Sequence, residues 1–225
     1  MPVREPPLKG PWTVWTIALV IMAGYAVQRL TGADEAVDAF AFTPAQLGHG
    51  RLFTTVTALF LHGSWSHAGM NAVGALAFGA PAARYFGLGL RGAAGFFLLY
   101  ITCGIMSCLG YAAAHLHDTA PLVGASGAVS GLLGASTRLL ERRGSISPLA
   151  TRTVVASTFA WIVINAMMGL LHYAPGLGQA NVAWEAHIAG YFAGLLLVPV
   201  FAALFRETPP PEPDEDDEPS IQRLD

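Results

Sequence analysis

Six apolar runs, each close to twenty residues, leave this chain one broad way to fold. They lie at about 12–30, 66–84, 93–114, 124–140, 153–173 and 184–205. A helix rises about 1.5 Å per residue, so roughly 20 apolar residues cross the ~30 Å hydrocarbon core of a bilayer. Inside lipid every backbone N–H and C=O must be satisfied within the protein, which a helix does by itself. Composition agrees. Of the 225 residues 53% are hydrophobic and only 12% charged, about half the charged share of an ordinary soluble domain. The 25 glycines also suit membrane helices. The chain therefore reads as an all-α, polytopic membrane protein. A six-transmembrane-helix bundle occupies 12–206, between a short N-terminal segment, 1–11, and a C-terminal tail, 207–225. No clear small-x-small site closes the first run, so it is read as a retained span rather than a cleaved leader.

The formal charge of −3 hides two different regions. Eight of the fifteen acids lie after Phe205, in a stretch that contains PPPEPDEDDEP. Such a sequence cannot build a core and reads as a disordered acidic tail. Up to residue 206 the chain is net basic, and its Lys and Arg residues sit between the apolar runs without forming a nucleic-acid patch. With the N-terminus placed in the cytoplasm, the inner segments carry Arg4, Lys9, Arg84, Arg91, Arg138, Arg142, Arg143, Arg152, Arg206 and Arg223, and the outer ones only Arg29 and Arg51. That bias puts both termini inside. Cys103 and Cys108, both within the third run, read as small apolar filler. The stretch 31–65 is too long for a tight connection, and Phe53–Trp65 is apolar enough to lie half-embedded at the interface.

Polar and ionisable groups at membrane depth are costly and mark candidate functional sites. His67 and Asn71 stand one turn apart in the second run, Ser126 at the start of the fourth and His187 near the start of the sixth. All three runs enter from the outer side, so the four residues lie at similar depth near the outer face. Gly127 and Gly131, and Gly190 and Gly194, form small-xxx-small patterns that let helix backbones approach closely. Gly190 and Gly194 share a helical face with His187, so packing of the fourth run on the sixth through these glycines brings Ser126 and His187 into hydrogen-bonding reach. A serine hydroxyl becomes a nucleophile when a neighbouring base takes its proton. The oxyanion formed on attack needs donors, which the Ser126 N–H, His67 and Asn71 can supply. Taken singly, each feature has a plainer reading: a serine bonded back to its own helix, a glycine-rich packing face, an interfacial histidine. Glu185 lies off the His187 face and reads as an interfacial acid, and a Ser–His dyad is the economical assignment.

Three segments carry a family resemblance: FLHGSWSHAGMN at 60–71, GASGAVSGLLGA at 124–135 and AHIAGYFAG at 186–194. In order and spacing they resemble the motifs of bacterial-type rhomboid intramembrane serine proteases, over about 50–205. The resemblance implies a rhomboid-like bundle in a bacterial inner membrane, with Ser126 as nucleophile, His187 as general base, and His67, Asn71 and Ser126 at the oxyanion site. Gly124, Gly127, Gly190 and Gly194 would support helix packing. It implies single-pass transmembrane protein substrates and membrane lipids as partners, no nucleic acid, no cofactor and no metal. The loop Tyr173–Ala183 would cap a water-filled cavity. Two positions depart from the pattern. Phe53 and Thr54 stand where many relatives have Trp-Arg, with Arg51 displaced, and Ser130 stands where many have an aromatic residue packed on the catalytic histidine. The anchoring of the first loop and the support of the histidine are thus left unassigned. The alternatives are a catalytically inactive relative that binds membrane clients, and a small transporter lined by His67, Asn71 and His187.

Overall fold

The computed structural model describes residues 10–141, 144–172 and 183–207. The readings of the segment before residue 10, the capping loop up to residue 182 and the tail after Glu207 lie outside the described residues. Among the described residues eight α-helices follow one another: α1 (Trp12–Thr31), α2 (Ala33–Phe40), α3 (Thr54–Thr57), α4 (Trp65–Phe86), α5 (Leu90–Ala114), α6 (Ser126–Thr137), α7 (Arg152–Leu171) and α8 (Trp184–Phe205). The six longest coincide with the six apolar runs. Their ends follow local chemistry. Ser64 caps α4, its Oγ accepting from the His67 N–H at 3.0 Å, and α1 stops at Gly32, whose φ of 107° suits a residue without Cβ.

Among the described residues, four helices (α1, α5, α7 and α8) are long and apolar enough to cross a membrane. The other two long helices differ for visible reasons. α4 has 22 residues but carries Ser66, His67, Asn71 and Arg84. α6 has 12 residues and is about 18 Å long, well short of a bilayer core.

That short helix is the centre of the molecule. Ten of the twelve residues of α6 are buried, because α4, α5 and α8 surround it. Its tightest neighbour is α8. A methyl group at Gly190 would collide with the Gly127 carbonyl, and one at Gly194 with the Gly131 carbonyl. The two backbones are therefore in direct contact along paired glycines, as their four-residue spacing predicts. α7 is the opposite case: only Val154 and Asn165 are buried, and large apolar side chains such as Phe159, Ile164, Met167 and Leu170 are exposed on it.

The segment between α1 and α4 folds inward more than its sequence suggests. Thr54, Thr55, Ala58, Leu59, Leu61 and His62 are all buried. Arg51 anchors this loop although it is displaced in the motif, its Nη2 donating to the carbonyls of Asp38 (3.1 Å) and Ala39 (2.6 Å) at the end of α2, where a cation complements the helix dipole. The loop in turn holds the extended chain that leads into α6. Phe42 and Leu122 exchange backbone hydrogen bonds of 3.1 and 2.7 Å, and the Gly124 N–H donates to the Ala58 carbonyl at 2.9 Å. Gln28 of α1 braces the loop from below through two bonds to the His62 backbone, 2.9 and 3.1 Å.

Candidate active site

The first residue of α6 is Ser126, delivered there by the anchored strand-like segment just described. The Ser126 N–H, at the first helical position, has no helical carbonyl behind it to receive it. Its hydroxyl lies 2.8 Å from His187 Nε2, one turn into α8. The glycine contacts between α6 and α8 set this distance, since both side chains leave their helices just above the Gly127–Gly190 crossing. A serine hydroxyl in such contact can pass its proton to the imidazole as it attacks a carbonyl.

His67 and Asn71 come to the same place from α4. A Cβ built on Gly124 would lie 2.8 Å from His67 Cε1 and 2.9 Å from Nε2, so the imidazole rests directly against the backbone of the GASG turn. The Gly63 N–H donates to His67 Nδ1 at 3.4 Å, and the ring packs edge-on against His62, with centroids 5.0 Å apart. Asn71 is buried, and its Nδ2 donates to the His67 carbonyl at 3.1 Å, leaving the second amide hydrogen for another acceptor. A cavity of about 410 Å³ opens beside Ser126, His187, His67 and Asn71, with apolar walls from Met70, Ile164 and Met168. The four residues singled out in the sequence therefore meet around one concave space.

Sequence reasoning missed a fifth polar residue. Asn165 of α7 is fully buried, and its Oδ1 lies 2.9 Å from His187 Nδ1. Its Nδ2 donates to the Trp161 carbonyl one turn back, at 2.9 Å. A lone asparagine in an apolar run was visible, but nothing in the run tells which face meets α8. The Ser130 hydroxyl donates to the Ser126 carbonyl at 2.8 Å. Glu185 has a partner that the sequence does not reveal: His115 Nε2 lies 3.0 Å from its Oε1. Nearby, Tyr111 donates to Asp118 at 2.6 Å, a bond that with the Ala120 N–H holds the Asp118 carboxyl below its ordinary range. Cys103 and Cys108 are free and buried. Among the described residues, no three His, Cys, Asp or Glu side chains gather to hold a metal ion.

A family model described as "Rhomboid domain" matches residues 49–204, which takes in α3 to α7, all of α8 but its last residue, and every residue of the site. The chain belongs to the rhomboid family. It is similar to Rhomboid protease GluP of Bacillus subtilis (strain 168), 27% identical over 189 residues, covering 83% of this chain and 34% of that one. It is also similar to RHOMBOID-like protein 5 of Arabidopsis thaliana, 24% identical over 231 residues, covering 87% of this chain and 70% of that one. The chain thus spans about a third of the length of GluP. As a rhomboid with several helices long and apolar enough to cross a bilayer, it is a multi-pass membrane protein.

Proposed function

We propose that this rhomboid is a serine endopeptidase that cuts single-pass transmembrane proteins within or beside the membrane. The observation that carries the reading is the 2.8 Å contact between Ser126 Oγ and His187 Nε2 at the wall of a cavity. Ser126 attacks the scissile carbonyl while His187 Nε2 takes the hydroxyl proton, and the tetrahedral intermediate forms. His187 then gives that proton to the leaving amine, the C–N bond breaks, and an acyl-enzyme remains. Water, deprotonated by the same nitrogen, attacks the ester and releases the new carboxyl terminus and Ser126. The Ser126 N–H, the Asn71 amide and the His67 ring donate to the oxyanion. Gly124, Gly127, Gly190 and Gly194 keep these groups together by admitting the close packing around α6.

The same proposal covers the membrane arrangement: six spans, both termini in the cytoplasm and the cavity near the outer face of a bacterial cell membrane. Lys and Arg placement supports it, and α6 crosses by burial among α4, α5 and α8 rather than by length. The transporter alternative calls for polar groups strung through the bundle, whereas Ser126, His187, His67 and Asn71 gather around one cavity.

The test uses the full chain in detergent with a fluorescent fluorophosphonate and with labelled single-pass membrane polypeptides. Wild type should label at Ser126 and cut, and Ser126→Ala should do neither. His187→Ala should fall by at least about 1,000-fold in both, the scale of losing a triad member. Cleavage by Ser126→Ala at the wild-type rate would end the proposal.

A further inference from the structure

We propose that Asn165 is a positioning residue that fixes the tautomer and orientation of His187. This rests on the reading of His187 as the base that serves Ser126. A neutral imidazole accepts a proton at Nε2 only if its own proton sits on Nδ1, and the partner of Nδ1 decides this. Here that partner is the Asn165 side chain, 2.9 Å away. An amide could present either its oxygen or its NH₂, and the second bond of Asn165 settles which. Its nitrogen is committed as donor to the Trp161 carbonyl at 2.9 Å, so the carbonyl oxygen faces His187 and can only accept. The Nδ1–H donates to Asn165, and the lone pair of Nε2 is left facing Ser126 Oγ at 2.8 Å. The Ser126 proton thus has a vacant acceptor, and the imidazolium formed when it moves keeps the Asn165 bond.

Packing holds the amide in place. Thr158, Trp161 and Asn165 follow one another at helical spacing along the face of α7 that meets α8. Opposite them on α8 are Tyr191 and His187, one turn apart. The Thr158 hydroxyl lies 3.0 Å from the Tyr191 hydroxyl, and the Trp161 ring stacks on Tyr191 with centroids 6.1 Å apart and planes at 24°. Asn165 and Val154 are the buried residues of α7, and Asn165 is fully buried. This supplies support for the histidine from α7, while the Ser130 hydroxyl is bonded to the Ser126 carbonyl.

Four versions of the full chain in detergent decide it: wild type, Asn165→Leu, Asn165→Asp and Ser126→Ala. The readouts are the labelling rate with a fluorescent fluorophosphonate, kcat and KM on a labelled single-pass polypeptide that wild type cuts, and the nitrogen-15 spectrum of the His187 ring. In labelling, Ser126 Oγ bonds to phosphorus, fluoride leaves and the hydroxyl proton passes to Nε2. Asn165→Leu should label about 10–100-fold more slowly and lose the same factor in kcat with KM unchanged. Asn165→Asp, which keeps an acceptor, should recover most of that loss, and wild-type His187 should carry its proton on Nδ1. A Leu variant within about twofold of wild type, or a wild-type spectrum with the proton on Nε2, overturns the proposal. The spectrum decides alone if the Leu variant fails to fold. Labelling of Ser126→Ala at the wild-type rate would instead remove the nucleophile assignment itself.

Discussion

Gly124 meets two demands at once: its φ is +118°, and the His67 ring lies where a side chain would begin. A left-handed or otherwise strained backbone costs a non-glycine residue on the order of 1–3 kcal/mol, and an added methyl would also push His67 off the GASG turn. Gly124→Ala is therefore expected to lower kcat about 100-fold, the penalty for shifting a reacting group by about an ångström, and to lower thermal stability measured on the same sample. Asn71→Ala separates binding from chemistry. If its free amide hydrogen meets the oxyanion, kcat falls about 100- to 1,000-fold with KM little changed; steady-state kinetics on a labelled membrane substrate checks this. At this scale the sequence was readable where a costly residue type stood inside an apolar run at a recognisable spacing, as for His67, Asn71, Ser126 and His187. Asn165 was equally costly but had no sequence neighbour to give it meaning, because its partner lies 22 residues away on another helix. The His115–Glu185 contact, across 70 residues, was hidden for the same reason.

Between elements, the contact of α6 with α8 decides whether there is a site. Two glycines on one helix face the backbone carbonyls of Gly127 and Gly131 on the other, and no side chain stands between that could yield. Gly194→Val should force the helices apart, destabilise the protein by about 1–3 kcal/mol as overpacked interiors do, and abolish fluorophosphonate labelling although Ser126 and His187 are untouched. Thermal unfolding in detergent and labelling together test it. This contact could be anticipated because small residues at four-residue spacing have a direct geometric meaning. The face that α7 turns to α8 could not, since a helix apolar on every side gives no moment to orient it. The inward fold of 31–65 was obscured as well: its short turns are held by backbone bonds to distant segments, such as Phe42 with Leu122, rather than by a periodic apolar pattern. Arg51 shows how a displaced motif residue can still do the anchoring, by reaching the carbonyls at the end of α2.

For the whole molecule, the end of α8 is tied back to the turn between α4 and α5. The Glu207 carboxylate accepts from the Gly89 N–H at 2.9 Å and the Gly92 N–H at 3.1 Å, its own N–H donates to the Phe86 carbonyl at 2.8 Å, and Arg91 donates to the Leu204 carbonyl at 2.7 Å. The Gly92 and Gly89 donors hold the carboxyl below its ordinary value of 4.5. A carboxylate with a lowered value in the folded protein contributes fully above the ordinary value, and that contribution is lost as the pH falls through the lowered one. Glu207→Ala should therefore melt below wild type at neutral pH, with the gap closing as the buffer is acidified past the ordinary carboxylate range. Scanning both proteins across that range in one detergent checks the sign. For anyone attaching a reporter, this knot has a practical meaning: a fluorophore fused after residue 207 departs from a fixed berth beside the α4–α5 corner. A truncation that removes Glu207 would untie the sixth long helix from the middle of the bundle.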